Sequence, residues 1–249
     1  MEINYADIGK YQENKEAVTV CIIVSSSGNT PRHSGSKMIV FGDGTTLGTV
    51  GGGSIELEAI QVALETRKPH LRAFHLKDDA GMICGGEVII YFEYLLPKQT
   101  LYIFGGGHVG QAIVETGINM NFDIVVIDNR SEIAARFKES YASVWQMDYE
   151  EAIKKIPYDL NSYFVITTPR HEYDETILAV IAGKPHKYIG MMASPQKVSA
   201  VRQKFLAENI LSRELLDTID MPIGVPIKCE TPGDIAISIW ARIVDIKNG

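Results

Sequence analysis

The chain has 249 residues, 45% of them hydrophobic and 22% charged, the balance of an ordinary folded protein with a sizeable core and not of a disordered chain. Its 24 Lys+Arg against 31 Asp+Glu give a net charge of -7, the wrong sign for gripping a nucleic-acid backbone or an anionic membrane. No run approaches the ~18 apolar residues of a membrane span, and the acidic N-terminus lacks the pattern of a signal peptide, so a cytoplasmic protein is expected.

From Val18 to Leu96 the chain reads as short strands divided by glycine turns: VTVCIIVS, SKMIVF, LGTV, LRAFHL and EVIIYFEYLL are rich in β-branched and aromatic residues, and FGDG supplies a hairpin-like turn. The polar loop SSSGNTPRHSGSKM, residues 25–38, carries Arg32, His33 and Lys37 and suits either an anionic ligand or a solvated turn. Only SIELEAIQVALETR, residues 54–67, has helical spacing, with Ile55, Leu57, Ile60, Val62 and Leu64 near one stripe and Ser54 placed to cap it. These features predict a mainly β, α+β domain over residues 1–97.

Just before that helix, GTVGGGSIE, residues 48–56, sets Gly51, Gly52 and Gly53 where their backbone N–H groups would form an anion-binding nest aided by the helix dipole. A tight strand-to-helix connection accounts for the same glycines. In DDAGMICGGEV, residues 78–88, Gly85 and Gly86 follow Cys84, which is therefore either an accessible reactive thiol or a packed small hydrophobe. Cys21, inside VTVCIIV, reads as packed, and Cys229 as structural. Three cysteines without a CxxC pair argue against a disulfide framework or a structural zinc.

After LPKQT, residues 96–100, the rhythm becomes an alternation of strands and helices: LYIFG, HVGQAIVETGINM, FDIVVID, SYFVITT, KYIGMMA and the segments between them. This predicts a parallel sheet covered on both faces over residues 98–249, a Rossmann-like, doubly wound domain. Within IFGGGHVG, residues 103–110, Gly105, Gly107 and Gly110 fit GxGxxG directly after a strand and at the start of a helix. The first glycine makes the turn, the second admits pyrophosphate, the third lets helix pack on strand, and the helix N-terminus presents free N–H groups. Gly106 and His108 complete the loop. His108 either bonds locally or faces the ligand.

Asp128 ends the next strand where an acid would hold a ribose 2′-hydroxyl, about 20 residues on. Arg130 just beyond would accept a 2′-phosphate, so NAD and NADP both stay open. Paired glycine loops point to an extended, phosphorylated ligand, and a dimer partner would close the cleft expected between two small modules. Nothing resembles the HExxH or GxSxG arrangements of hydrolases.

Together, SSSGNTPRHSGSKM, GTVGGGSIE, CGGEV, IFGGGHVG, VVIDNR, HEYDETIL, YIGMMAS and TPGDIAISI resemble the xanthine dehydrogenase accessory protein family of the XdhC/CoxI type, over nearly the whole chain. The resemblance implies a maturation factor without turnover of its own that binds molybdenum cofactor, a pterin dithiolene phosphate carrying molybdenum. Such a factor holds the cofactor while a cysteine desulfurase supplies its sulfido ligand, then delivers it to a molybdenum hydroxylase such as xanthine dehydrogenase. On this reading Gly51, Gly52, Gly53, Gly85, Gly86, Gly105, Gly106, Gly107, His108, Gly110 and Asp128 bind the cofactor, and Cys84 offers a soft donor to molybdenum or its sulfido ligand.

The alternatives are an NAD(P)-dependent oxidoreductase, for which no partner pair for hydride transfer stands out, and a nucleotide-sensing regulatory domain. The chain departs from the family where its YIG strand is followed by Ala193, Ser194, Pro195 and Gln196 instead of glycine, serine and basic residues, which removes an expected basic contact. Ser194 and Pro195 read as N-cap and first residue of a helix through Phe205. His171 and Asp174 match the family's His and Asp, with Pro169 and Arg170 altering the approach.

Overall fold

A computed structural model describes residues 3–4, 6–9, 17–66, 68–75, 86–95, 98–137 and 140–249, with the backbone alone at His171. Cys84 and Gly85 lie outside the described residues. The chain divides into two units, Met1–Lys98 and Gln99–Gly249.

In the first unit the β-branched runs form β1 (Val18–Ser27), β2 (Lys37–Phe41), β3 (Thr46–Gly48), β4 (His70–His75) and β5 (Glu87–Leu95), which pair into an antiparallel sheet of order β3-β2-β1-β5-β4. Alternation sends Val18 and Val20 to one face, where they meet Ile39, and Cys21 and Ile23 to the other, against helix α1 (Gly53–Glu65). Cys21 is a packed hydrophobe, as its strand context suggests, and burial pushes its thiol up to about 12.

Helix α1 departs from expectation in two respects. Its N-cap is Gly52, so Ser54 lies within the first turn and caps nothing; Gly52 at φ 78° and Gly53 at φ 60° let the chain enter the helix earlier than an L residue would. Ile55, Ala59, Val62 and Ala63 form its buried face, whereas Leu57 is 71% exposed and Leu64 is also at the surface. At 100° per residue, position 57 points away from the side that 55, 59 and 62 share.

The second unit is the doubly wound α/β domain expected. Its strands are β6 (Gln99–Phe104), β7 (Phe122–Ile127), β8 (Ser143–Trp145), β9 (Ser162–Ile166) and β10 (Tyr188–Met191), and they form a wholly parallel sheet of order β10-β9-β6-β7-β8. Nearly every residue of β6, β7 and β9 is buried, as a sheet covered twice requires. Leu101 and Ile103 face α2 (His108–Thr116), α3 (Ser131–Ala134) and α8 (Pro232–Asn248). Tyr102 and Phe104 face α4 (Tyr149–Lys155), α5 (His171–Ile181), α6 (Pro195–Ala207) and α7 (Arg213–Thr218). The strand order reverses between β6 and β9, and ligands of such sheets bind outside the carboxyl ends of the strands at that point.

Candidate functional site

At the switch point the glycine loop is held from both sides. The Gly105 N–H donates to Ile127 O at 2.9 Å, the Thr167 N–H to Phe104 O at 2.8 Å and the Thr167 hydroxyl to Gly105 O at 3.1 Å. Three of the four glycines are there because backbone or core leaves no room. A Cβ at Gly105, whose φ is 105°, would strike Thr167 O. One at Gly106 would lie 2.7 Å from Ile133 and 2.9 Å from Phe137, and one at Gly110 would strike Gly105 O. Gly107 differs: nothing lies within 4 Å of its Cβ position, and it is the N-cap of α2 with no side chain covering the first turn. The loop therefore presents an open approach to free helix N–H groups, the arrangement that receives a phosphate. His108, the first residue of α2, is exposed beside that approach.

Asp128 sits wholly buried at the end of β7, and both carboxylate oxygens are engaged. Oδ2 accepts the Gly106 N–H at 2.9 Å and Arg130 Nη2 at 2.7 Å, while Oδ1 accepts Arg130 Nε at 2.9 Å and the Arg130 N–H at 3.1 Å. Burial alone would raise its pKa, but hydrogen bonds from Arg130 and Gly106 outweigh it and hold the carboxyl below the usual aspartate value. Asp128 thus braces the loop and carries Arg130. A ribose hydroxyl would have to displace that guanidinium to reach it.

A second acid–cation pair stands past the end of β9, on the other side of β6. Asp174, 2% exposed in α5, accepts the Thr168 hydroxyl and forms an ion pair with Lys197 of α6. Lys197 comes one position beyond Gln196 and is held at this edge by its pair with Asp174. Ser194 caps α6, accepting the Lys197 N–H at 3.3 Å, as expected. Tyr149 at the start of α4 stacks edge-on against Tyr173, and its buried hydroxyl has no hydrogen-bond partner among the described residues. Burial pushes that hydroxyl up, with the Asp128 and Asp174 charges adding to it.

In the first unit the 25–38 loop meets both glycine segments. Pro31 lies 3.2 Å from where a Gly51 Cβ would be, the Gly86 N–H donates to Asn29 O at 3.3 Å, and a Cβ on Gly86 would strike Ser27 O. Gly86 is thus a close-approach glycine. The nest over Gly51, Gly52 and Gly53 already holds an anion from within: Glu56 Oε1 accepts the Gly52 N–H at 3.0 Å and the Thr49 hydroxyl, and Thr49 in turn accepts the Gly51 N–H at 3.1 Å. Spacing left a nest and a tight connection both open; it did not show that the Glu56 carboxylate turns back onto these amides. Arg32 and His33 are exposed on the loop.

Cys229 is not the structural residue that its place before α8 suggests. It is exposed and lines a cavity at the end of β10. No helix among the described residues is long and apolar enough to cross a membrane.

Residues 101–243 match the family model described as the XdhC Rossmann domain, and residues 11–74 that of the XdhC and CoxI family. The chain is 31% identical over 98% of its length to the uncharacterized protein YqeB of Escherichia coli (strain K12), of which it covers 46%. It is 21% identical over 64% of its length to a probable xanthine dehydrogenase subunit of Bacillus subtilis (strain 168), again covering 46%. The chain thus spans about half the length of the curated relatives it matches. A crystal structure of a xanthine dehydrogenase from Bacillus halodurans superposes on 96% of this chain and 95% of that one with a TM-score of 0.54 at 19% identity, a likeness of fold.

Proposed function

Because the chain belongs to the XdhC and CoxI family, we propose that it is an accessory factor that carries molybdenum cofactor to a xanthine dehydrogenase-like molybdenum hydroxylase without turnover of its own. The cofactor is cargo here. Its phosphate would rest on the α2 N-terminus beside Gly107 and His108, and Cys84 would offer the soft donor. A cysteine desulfurase would sulfurate the bound cargo before delivery, and molybdenum supplies the redox centre of the recipient once inserted.

The observation that carries this reading is the pairing of an unobstructed anion seat at Gly107 with an Asp128 that is already spent on Gly106 and Arg130. The seat suits any terminal phosphate. The missing free acid counts against a nicotinamide enzyme, which would need that carboxylate for its ribose. A phosphate also gains from the positive end of α2 without any further acid to repel it.

The test is to express the chain in cells that make the cofactor, purify and denature it, and measure released pterin fluorescence and molybdenum. Both should be recovered from the wild type and lost from Gly107→Val, whose side chain would stand in the open approach. His108→Ala should weaken retention, and Cys84→Ala should impair activation of a recipient hydroxylase while pterin binding persists. Recovery of neither pterin nor molybdenum, together with tight NAD(P) binding, would reverse the assignment.

A further inference from the structure

We infer that the cavity at the carboxyl end of β10 is the subsite for the uncharged ring system of the ligand whose phosphate rests at the glycine loop, an inference that rests on the carrier reading above. The cavity has a volume of about 320 Å³ and is walled by Met192, Ala193, Ile223, Val225 and Ile227, with the Cys229 thiol among them. Ligand pockets begin at roughly 300 Å³. A space of this size holds a fused ring.

Its position follows from the sheet. Met192 and Ala193 follow directly on β10, Gly105 follows directly on β6, and β9 lies between. Two strand spacings, about 10 Å, therefore separate the carboxyl ends of β10 and β6. Asp174 and Lys197 meet beyond the end of the intervening strand, paired with one another.

The wall is built to stay open and apolar. Asp220 Oδ2 accepts the Tyr188 hydroxyl at 2.7 Å and the Gly224 N–H at 2.8 Å. The Ile223 N–H donates to Met191 O at 3.1 Å, the Val225 N–H to Ser238 O at 3.2 Å and the Ser238 hydroxyl to Val225 O at 2.7 Å. Gly224, at φ 94°, permits the close pass against Ser238. With these polar groups satisfied by one another, the cavity surface is mainly methyls, methylenes and one sulfur, with a smaller share of exposed polar atoms. Such a lining penalises a charged phosphate and accepts an uncharged ring.

The test uses the full chain and two probes: the oxidised, fluorescent pterin phosphate obtained from molybdenum cofactor, and inorganic phosphate as its competitor. Ala193→Leu fills the cavity from its own wall. It should weaken pterin phosphate binding at least tenfold and leave the competition constant of inorganic phosphate unchanged, whereas Gly107→Val should weaken both. Saturating pterin phosphate should also slow alkylation of Cys229 in the wild type several-fold, a readout that needs no variant. Unaltered pterin binding by a folded Ala193→Leu, or an alkylation rate indifferent to bound pterin, overturns the cavity assignment and leaves the carrier reading standing. A wild-type chain that binds no pterin phosphate at all overturns both.

Discussion

The Asp128 carboxylate accepts the backbone N–H of Gly106 at 2.9 Å from a wholly buried position, tying the end of β7 to the loop after β6. The same oxygens hold Arg130, which is about one-third exposed. Asp128→Ala would strand both the Gly106 donor and the guanidinium. Breaking a fully buried pair costs about 3–5 kcal/mol, and the partial exposure of Arg130 lowers the expectation to about 2–3 kcal/mol, measurable by urea unfolding. Because the folded-state pKa lies below the ordinary value, the contribution is complete above about pH 4 and disappears as pH falls through the folded value. The stability gap between wild type and Asp128→Asn should therefore be wide at pH 7 and narrow progressively below pH 4; a gap that stays constant into acid would show that the carboxylate charge plays no part.

Gly107 and Gly110 belong to one motif and should respond differently to the same methyl group. Gly110→Ala drives a Cβ into Gly105 O, and with backbone on both sides the loop must shift, at a cost of about 3 kcal/mol. Gly107→Ala meets open space at an extended N-cap and should cost less than about 1 kcal/mol. Thermal unfolding of the two variants side by side decides it, and equal losses would refute the division into a packing glycine and an access glycine.

Tyr149 buries a hydroxyl without a partner among the described residues, which costs free energy that the ring's packing must offset. Tyr149→Phe keeps the ring against Tyr173 and Phe104 and removes the penalty. The ligand-free variant should be more stable by about 1 kcal/mol, seen as a rise of roughly 2–4 °C in melting temperature for a domain of this size. A lower melting temperature would mean that the hydroxyl is satisfied in solution.

Thiol accessibility gives a further check. Cys229 is exposed, whereas Cys21 is wholly buried with its thiol pushed up to about 12. Peptide mapping after brief alkylation of native protein at pH 8 should find Cys229 modified and Cys21 untouched until denaturant is added. Equal labelling of the two would contradict the packing of β1.

Much of the architecture is legible in residue order because it follows local rules. The β-branched runs of the first unit and the strand–helix alternation of the second are set by periodicity and by where glycines interrupt it, and IFGGGHVG announces a strand, a turn and a helix start by the residues alone. Helix faces are less legible. Leu57 and Leu64 look like core by spacing and lie outside, because alanines 59 and 63 supply the contact with the sheet.

What polar groups do with one another is decided only in three dimensions. Asp128 stands where a ligand's ribose would want it and is bound by its own loop; the nest at Gly52 is filled by Glu56; Lys197, just past residues 193–196, is paired with Asp174. Cys229 lines a cavity because residues 220–225 run beside β10 and bond to Ser238. Sequence determines which backbone each segment prefers, since that preference is settled within a few neighbouring residues. Whether a carboxylate is free for a ligand depends on which donors distant strands and helices bring within hydrogen-bond reach, and a buried charge takes whatever partner the fold supplies.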